Sequence, residues 1–277
     1  MVLYIHYTHF NLKNIVQNSQ SIGAFVVTQT EMNQFEKIID QNLYFHHFQP
    51  IFAVNELKAC GYEGLLRSQY IKNPQHLFDI ATKTERLAQL DWGSFTKAVD
   101  HLSEHFDYFA SDSEFFFNVY PSTLVSEGFL SEFKTYLETT SIPANHLILE
   151  LNESEFIEDF NHLYTVITEL QKLGIRVALD DIGRGLSPFT RALELYPDVI
   201  KLDKYFSDNL AKQPAKQNIL KTIINYCHDT NVTAILEGVE ERRDFEVAKS
   251  LGVEFVQGFL LGKPDTLANH FSMVHHN

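Results

Sequence analysis

The chain has 277 residues, 44% of them apolar, and a formal net charge of −14. This length can bury one large core or two small ones, while the acidic surplus argues against coating duplex nucleic acid, whose phosphates need clustered Lys and Arg. No apolar run approaches a membrane span, and with no secretory leader at the first residues Cys60 and Cys227 are expected as free thiols in a reducing cytoplasm.

Residues 1–36 have mixed periodicity and read as an N-terminal extension of unknown role. Regular patterning begins at about residue 37 and is expected to form one domain over 37–277. "FQPIFAV" (Phe48 to Val54) and "GYEGLLR" (Gly61 to Arg67) read as strands. About six residues join them, too few for a crossover helix, so the pair is expected to be antiparallel. Helices are expected around Leu77 to Leu90 and Trp92 to Phe106. "EFFFNVY" is the next strand, and Pro121-Ser122 opens a helix. "HLILEL" (His146 to Leu151) precedes an amphipathic helix from Phe156 to Lys172, ended by Gly174.

"RVALDD" runs into the glycine-containing loop "IGRGLSP". "DVIKLD" precedes a helix from about Ser207 to Thr230. "VTAILEGV" precedes a helix from Glu241 to Leu251, and "FVQGFLLG" (Phe255 to Gly262) is the last strand. Eight strands with intervening helices are the pattern of an α/β fold: a (β/α)8 TIM-type barrel with an antiparallel first strand. The alternative is a doubly wound open sheet, which would gather functional residues at one switch point instead of at nearly every strand end.

Those strand ends carry the chemistry. Glu63, Asn118, Glu150, Asp180 and Asp181, Lys201, and Glu237 each close an apolar run. Crowded buried carboxylates raise one another's pKa unless cations hold them, and hard divalent ions take such oxygen donors. Four donors from four strands, with Asp180 and Asp181 adjacent, read as a two-metal site. Adjacent residues on a regular strand face opposite ways, so the backbone must bend there, and Gly183 permits it. Two such ions can activate water and stabilise both oxygens of a phosphodiester displacement. No helical HxxxH pair is read among the thirteen histidines, so zinc is not the expected metal. Each motif alone has an ordinary reading as a cap, a turn or a bulge.

In order along the chain, "EGLLR", "NVYPSTL", "ELNE", "LDDIGRG", "IKLDKYF", "EGVE" and "QGFLLGKP" resemble the successive motifs of EAL domains, over about residues 40 to 265. These are bacterial phosphodiesterases that linearise cyclic di-GMP. The resemblance implies hydrolysis of cyclic di-GMP to pGpG with Mg2+ or Mn2+, two ions being expected. It makes Glu63, Asn118, Glu150 and Asp180 metal ligands and gives Asp181 the second ion. Lys201 would orient the nucleophilic water or the scissile phosphate, and Glu237 would be a metal ligand or the general base. Arg67, Gln257 and Asp203 would serve substrate, and Glu153 would anchor the loop after the double Asp. A homodimer is a further implication. The loop "DDIGRGLSP" departs from the family's usual residues, and on that departure rests the alternative, a weakly active or inactive EAL-like receptor or protein-interaction domain. A third reading, a barrel enzyme acting on an unrelated metabolite, rests on fold analogy alone.

Overall fold

A computed structural model describes residues 27–152, 159–183 and 194–274. Eight strands close into a barrel in chain order: β1 (Tyr44–Ala53), β2 (Lys58–Ser68), β3 (Glu114–Asn118), β4 (Leu147–Asn152), β5 (Arg176–Ile182), β6 (Val199–Leu202), β7 (Thr233–Leu236) and β8 (Phe255–Gln257). β1 is antiparallel to both neighbours, β2 and β8, and all other pairings are parallel. Closure rules out the open doubly wound sheet.

The helices around the barrel are α1 (Gln29–Asp40), α2 (Pro74–Lys83), α3 (Leu87–Ser103), α4 (Pro121–Leu124), α5 (Phe129–Leu137), α6 (Phe160–Lys172), α7 (Lys204–Ser207), α8 (Pro214–Thr230), α9 (Arg242–Ser250) and α10 (Leu267–Val274). α1 begins with a reciprocal cap between Thr28 and Glu31 and crosses residue 36. Its buried Phe35, Ile38 and Ile39 pack with Leu66, Leu77 and Ile80.

Several boundaries differ from the sequence reading. The helix expected to run to Leu90 stops at Lys83, because Glu85 takes a left-handed conformation (φ +56°) and α3 starts afresh. The helix expected from Ser207 is divided: α7 ends there, and Pro214 at the first turn opens α8. The last strand is three residues instead of eight, because at Gly258 the chain presses on the Val239 backbone too closely for any Cβ.

The barrel interior is layered. Ile51, Phe116, Ile148, Ala178, Val199 and Ile235 form one apolar cluster, with Phe255 packed against it. Gly61 of β2 faces the same space, since a Cβ there would touch Phe116 at 3.0 Å and Ile51 at 3.6 Å. Strand residues two apart share a face. The next inward positions toward the C-terminal ends are therefore Glu63, Asn118, Glu150, Asp180, Lys201, Glu237 and Gln257. On antiparallel β1 the equivalent step from Ile51 is Gln49.

Candidate active site

The polar layer sits on the apolar plug at the end where barrels of this kind carry their chemistry. Its centre is Lys201, with 0% exposure. The ammonium lies 2.8 Å from Glu150 Oε1, 2.9 Å from Glu237 Oε1, 3.1 Å from Glu63 Oε2 and 3.5 Å from Asp180 Oδ1. Glu63 also accepts hydrogen bonds from Asn118 Nδ2 (2.9 Å) and Gln257 Nε2 (2.7 Å). Four carboxylates thus meet around one nitrogen, and Asn118 and Gln257 brace one of them.

The electrostatics follow from that arrangement. Burial pushes the Glu63 carboxyl up, but Lys201 and the donors Gln257 and Asn118 outweigh it and leave the group below its usual range. Glu150 is raised well above the usual range by burial and then by the Glu63 charge. Burial also raises Asp180, and lifts Glu237 to about 8, against the pull of Lys201. Burial would discharge Lys201, but Asp180, Glu150, Glu237 and Glu63 together hold it firmly charged.

The double Asp departs from regular strand geometry. Asp181 itself is left-handed (φ +59°), and the β5–β6 register shifts between Leu179 and Ile182. The bend expected from Gly183 therefore begins two residues earlier, in an Asp, a residue that tolerates this region. In consequence Asp180, Asp181 and Glu237 each bring an oxygen within 4.8 Å of the others. Glu237 is held in turn by its loop. Its N–H donates to Leu202 (3.0 Å), Gly238 is left-handed (φ +62°), and the Val239 N–H donates to Gln257 (3.1 Å).

These residues fit divalent cations. Glu150 Oε1 takes the Lys201 ammonium at 2.8 Å, but among the described residues Oε2 of this fully buried residue has no donor, and Asp180 Oδ1 has only Lys201 at 3.5 Å. Buried carboxylate oxygens without donors are what a hard cation satisfies. Five carboxylates against one ammonium leave four negative charges when all are ionised, the charge of two divalent ions.

A cleft of about 270 Å³ opens beside the layer, lined by Glu63, Arg67, Asn118, Tyr120, His46 and Ser94 among others. Arg67 is half-buried on its wall, one amino group donating to the Leu66 carbonyl at 2.8 Å. Asp203 stands apart from the cluster. Its carboxylate caps α7 by accepting the Tyr205 N–H at 2.8 Å. Glu153 and residues 184–193, with most of the altered loop, lie outside the described residues. Sequence reasoning passed over Gln49, whose signal was its two-residue step from Ile51; its amide donates to the Gly262 carbonyl at 3.2 Å. It also passed over His101, in the last turn of α3, and His105, just beyond the cap residue Glu104, which stand four apart in sequence without both lying in the helix. Among the described residues no helix is long and apolar enough to cross a membrane.

Comparison with known proteins agrees with this geometry. The EAL domain profile matches residues 32–264. The chain is 30% identical over 224 residues to the probable cyclic di-GMP phosphodiesterase PdeI of Escherichia coli K12, covering 78% of this chain and 28% of that protein. It is 24% identical over 237 residues to MucR of Pseudomonas aeruginosa, a bifunctional diguanylate cyclase/cyclic di-GMP phosphodiesterase, covering 84% of this chain and 35% of that protein. The chain thus spans about a third of the length of such curated relatives. The solved structure of the PaMucR phosphodiesterase in complex with c-di-GMP superposes with a TM-score of 0.77 at 24% identity, covering 86% of this chain and 98% of that one. With its profile match across most of its length and its closed barrel, this chain belongs to the EAL domain family.

Proposed function

We propose that this chain is a divalent-metal-dependent phosphodiesterase that hydrolyses one 3′,5′ phosphodiester of cyclic di-GMP to give linear pGpG. The observation that carries the reading is the inward polar layer: oxygen donors from successive strands gathered around one ammonium, with Glu150 Oε2 buried and without a donor among the described residues. EAL phosphodiesterases depend on divalent metal, and the relatives named above carry this activity in their names. The ions are Mg2+ or Mn2+, two in number, held by Glu63, Asn118, Glu150, Asp180, Asp181 and Glu237. When bound, such ions supply a deprotonated water and charge stabilisation for the phosphodiester.

The chain's own groups do the rest. Asn118 and Gln257 fix both oxygens of Glu63, so its carboxylate has one orientation. Lys201 Nζ stays protonated and offers a donor in a buried site, where a fixed charge is worth far more than in water. Arg67, on the wall of the cleft, presents a planar fork suited to a substrate phosphate. Residues 37–277 form the barrel domain with residues 1–36 as an extension; the protein acts in the cytoplasm and as a homodimer.

Purified protein incubated with cyclic di-GMP and Mn2+ or Mg2+ is expected to yield pGpG on chromatography. Tight binding without turnover in either metal would replace the enzyme by the receptor, and absence of binding would leave the metabolite enzyme. Glu63→Ala removes one ligand and the anchor of Asn118 and Gln257. It is expected to lower kcat/KM at least about a hundredfold, equivalent to roughly 2.7 kcal/mol, with circular dichroism unchanged. Parental turnover in that variant would overturn the site assignment.

A further inference from the structure

We propose that His101, Glu104 and His105 form a second metal site, outside the barrel, for a borderline transition ion such as Zn2+, Ni2+ or Cu2+. His101 lies in the last turn of α3, Glu104 caps that helix and His105 follows it, where the chain turns and the His105 N–H donates to the Leu102 carbonyl at 2.9 Å. One ligand atom from each falls within 4.8 Å of the other two. His101 Nδ1 is already 3.8 Å from Glu104 Oε2.

His105 is arranged as metal-binding imidazoles are. Its Nδ1 lies 2.9 Å from the His101 carbonyl oxygen. As an N–H donor there it fixes the tautomer and leaves the Nε2 lone pair for a metal. The ring is also held in place: it stacks on Phe271 of α10 (centroids 5.9 Å apart, planes 22° apart) and meets His101 edge-on at 5.1 Å. Three protein donors leave a fourth tetrahedral position open to water or an external ligand.

The donor set separates this site from the one in the barrel. Two imidazoles and a carboxylate suit zinc, nickel or copper, whereas the barrel layer offers oxygen donors to hard ions. The two sites are also apart in the fold. Asp91, near the other end of α3, accepts the Tyr120 N–H beside Asn118, and the helix continues from Asp91 to its end at Ser103, roughly 18 Å of rise. The inference does not depend on the phosphodiesterase reading.

The test adds one equivalent of Cu2+ to the full chain in excess Mg2+ and records the electron paramagnetic resonance spectrum. Hyperfine coupling to two imidazole nitrogens is expected. It should vanish in His101→Ala/His105→Ala and in His101→Gln/His105→Gln, with circular dichroism and turnover of cyclic di-GMP as in the parent. Glu104→Gln should keep the couplings and release copper at a lower chelator concentration. An oxygen-only spectrum, absence of bound copper, or nitrogen couplings that survive in both double variants would overturn the proposal.

Discussion

At Lys201 a single buried ammonium faces four carboxylates, and the balance is one-sided. Taking an ammonium out of water costs several kcal/mol, repaid only where anions and hydrogen bonds surround it closely. Here Glu63, Glu150 and Glu237 lie within 3.1 Å and Asp180 within 3.5 Å. The same residue therefore holds the layer together and keeps its anions from repelling one another. Lys201→Met removes the only positive charge in that set and leaves buried anions unpaired. In chelator the variant is expected to lose about 3–5 kcal/mol of stability, read from urea unfolding. Mn2+ should narrow the gap to the parent, because cations then replace the missing charge. Equal stability of variant and parent in chelator would show that the ammonium does not hold the layer. Asp181 illustrates a different constraint: its left-handed backbone (φ +59°) turns a second carboxylate toward the group that Asp180 and Glu237 make.

Single strands and helices show what could be read in advance. The steps Phe116 to Asn118, Ile148 to Glu150, Ala178 to Asp180, Val199 to Lys201, Ile235 to Glu237 and Phe255 to Gln257 are all two residues. Period two puts each apolar plug residue and its polar successor on one face, so the layered site was legible as apolar–any–polar at strand ends. What was not legible came from tertiary contact. The eight-residue β8 failed because Gly258 touches the Val239 backbone, a proximity that no local pattern announces. Gly258→Ala is expected to cost about 3 kcal/mol, at the upper end of overpacking; a melting temperature within a degree of the parent would deny that contact. Asp203, which the resemblance assigns to substrate, has a second task that its sequence neighbours did not announce: its carboxylate caps α7. Between β1 and α3, His46 accepts or donates one hydrogen bond with Ser94 at 2.9 Å and is 7% exposed. Burial, then the charges of Lys97, His101 and Arg67, lower its pKa to about 3. The unfolded imidazole takes a proton below about pH 6.5, which the folded one refuses until about 3, so stability falls as pH drops through that window. The loss from pH 6.5 to 5 is about 2 kcal/mol, and His46→Leu should flatten that part of the urea-midpoint profile. An unchanged slope would assign the acid sensitivity elsewhere.

Across the whole molecule, the antiparallel first strand leaves a gap in the shell of helices. A parallel β–α–β step would place a crossover helix over β1 and β2, but here a short turn joins them and no helix intervenes. The C-terminal segment fills the gap. Asp265 pairs with Phe48 of β1 through two backbone hydrogen bonds. On α10, Leu267 is buried, His270 Nε2 lies 2.7 Å from the Phe48 carbonyl oxygen, and the His270 ring meets Tyr62 of β2 edge-on at 5.7 Å. Phe271 packs on Tyr108 and Phe109, beyond the end of α3. The family match ends at residue 264, just before this helix, so a chain cut to that boundary would keep every proposed ligand and lose the cover. Burial of Leu267, the hydrogen bonds to Phe48 and the aromatic pairs together suggest a loss of roughly 4 kcal/mol for removal of residues 265–277. Only three residue pairs join β1 to β8, so the seam that closes the barrel lies beside the uncovered strand and should loosen first. Hydrogen exchange on the truncated chain is expected to speed up at β1 amides, Phe48 above all, before it does at β4 or β5. Uniform protection across the strands, with the urea midpoint unmoved, would mean that the barrel closes without its C-terminal helix.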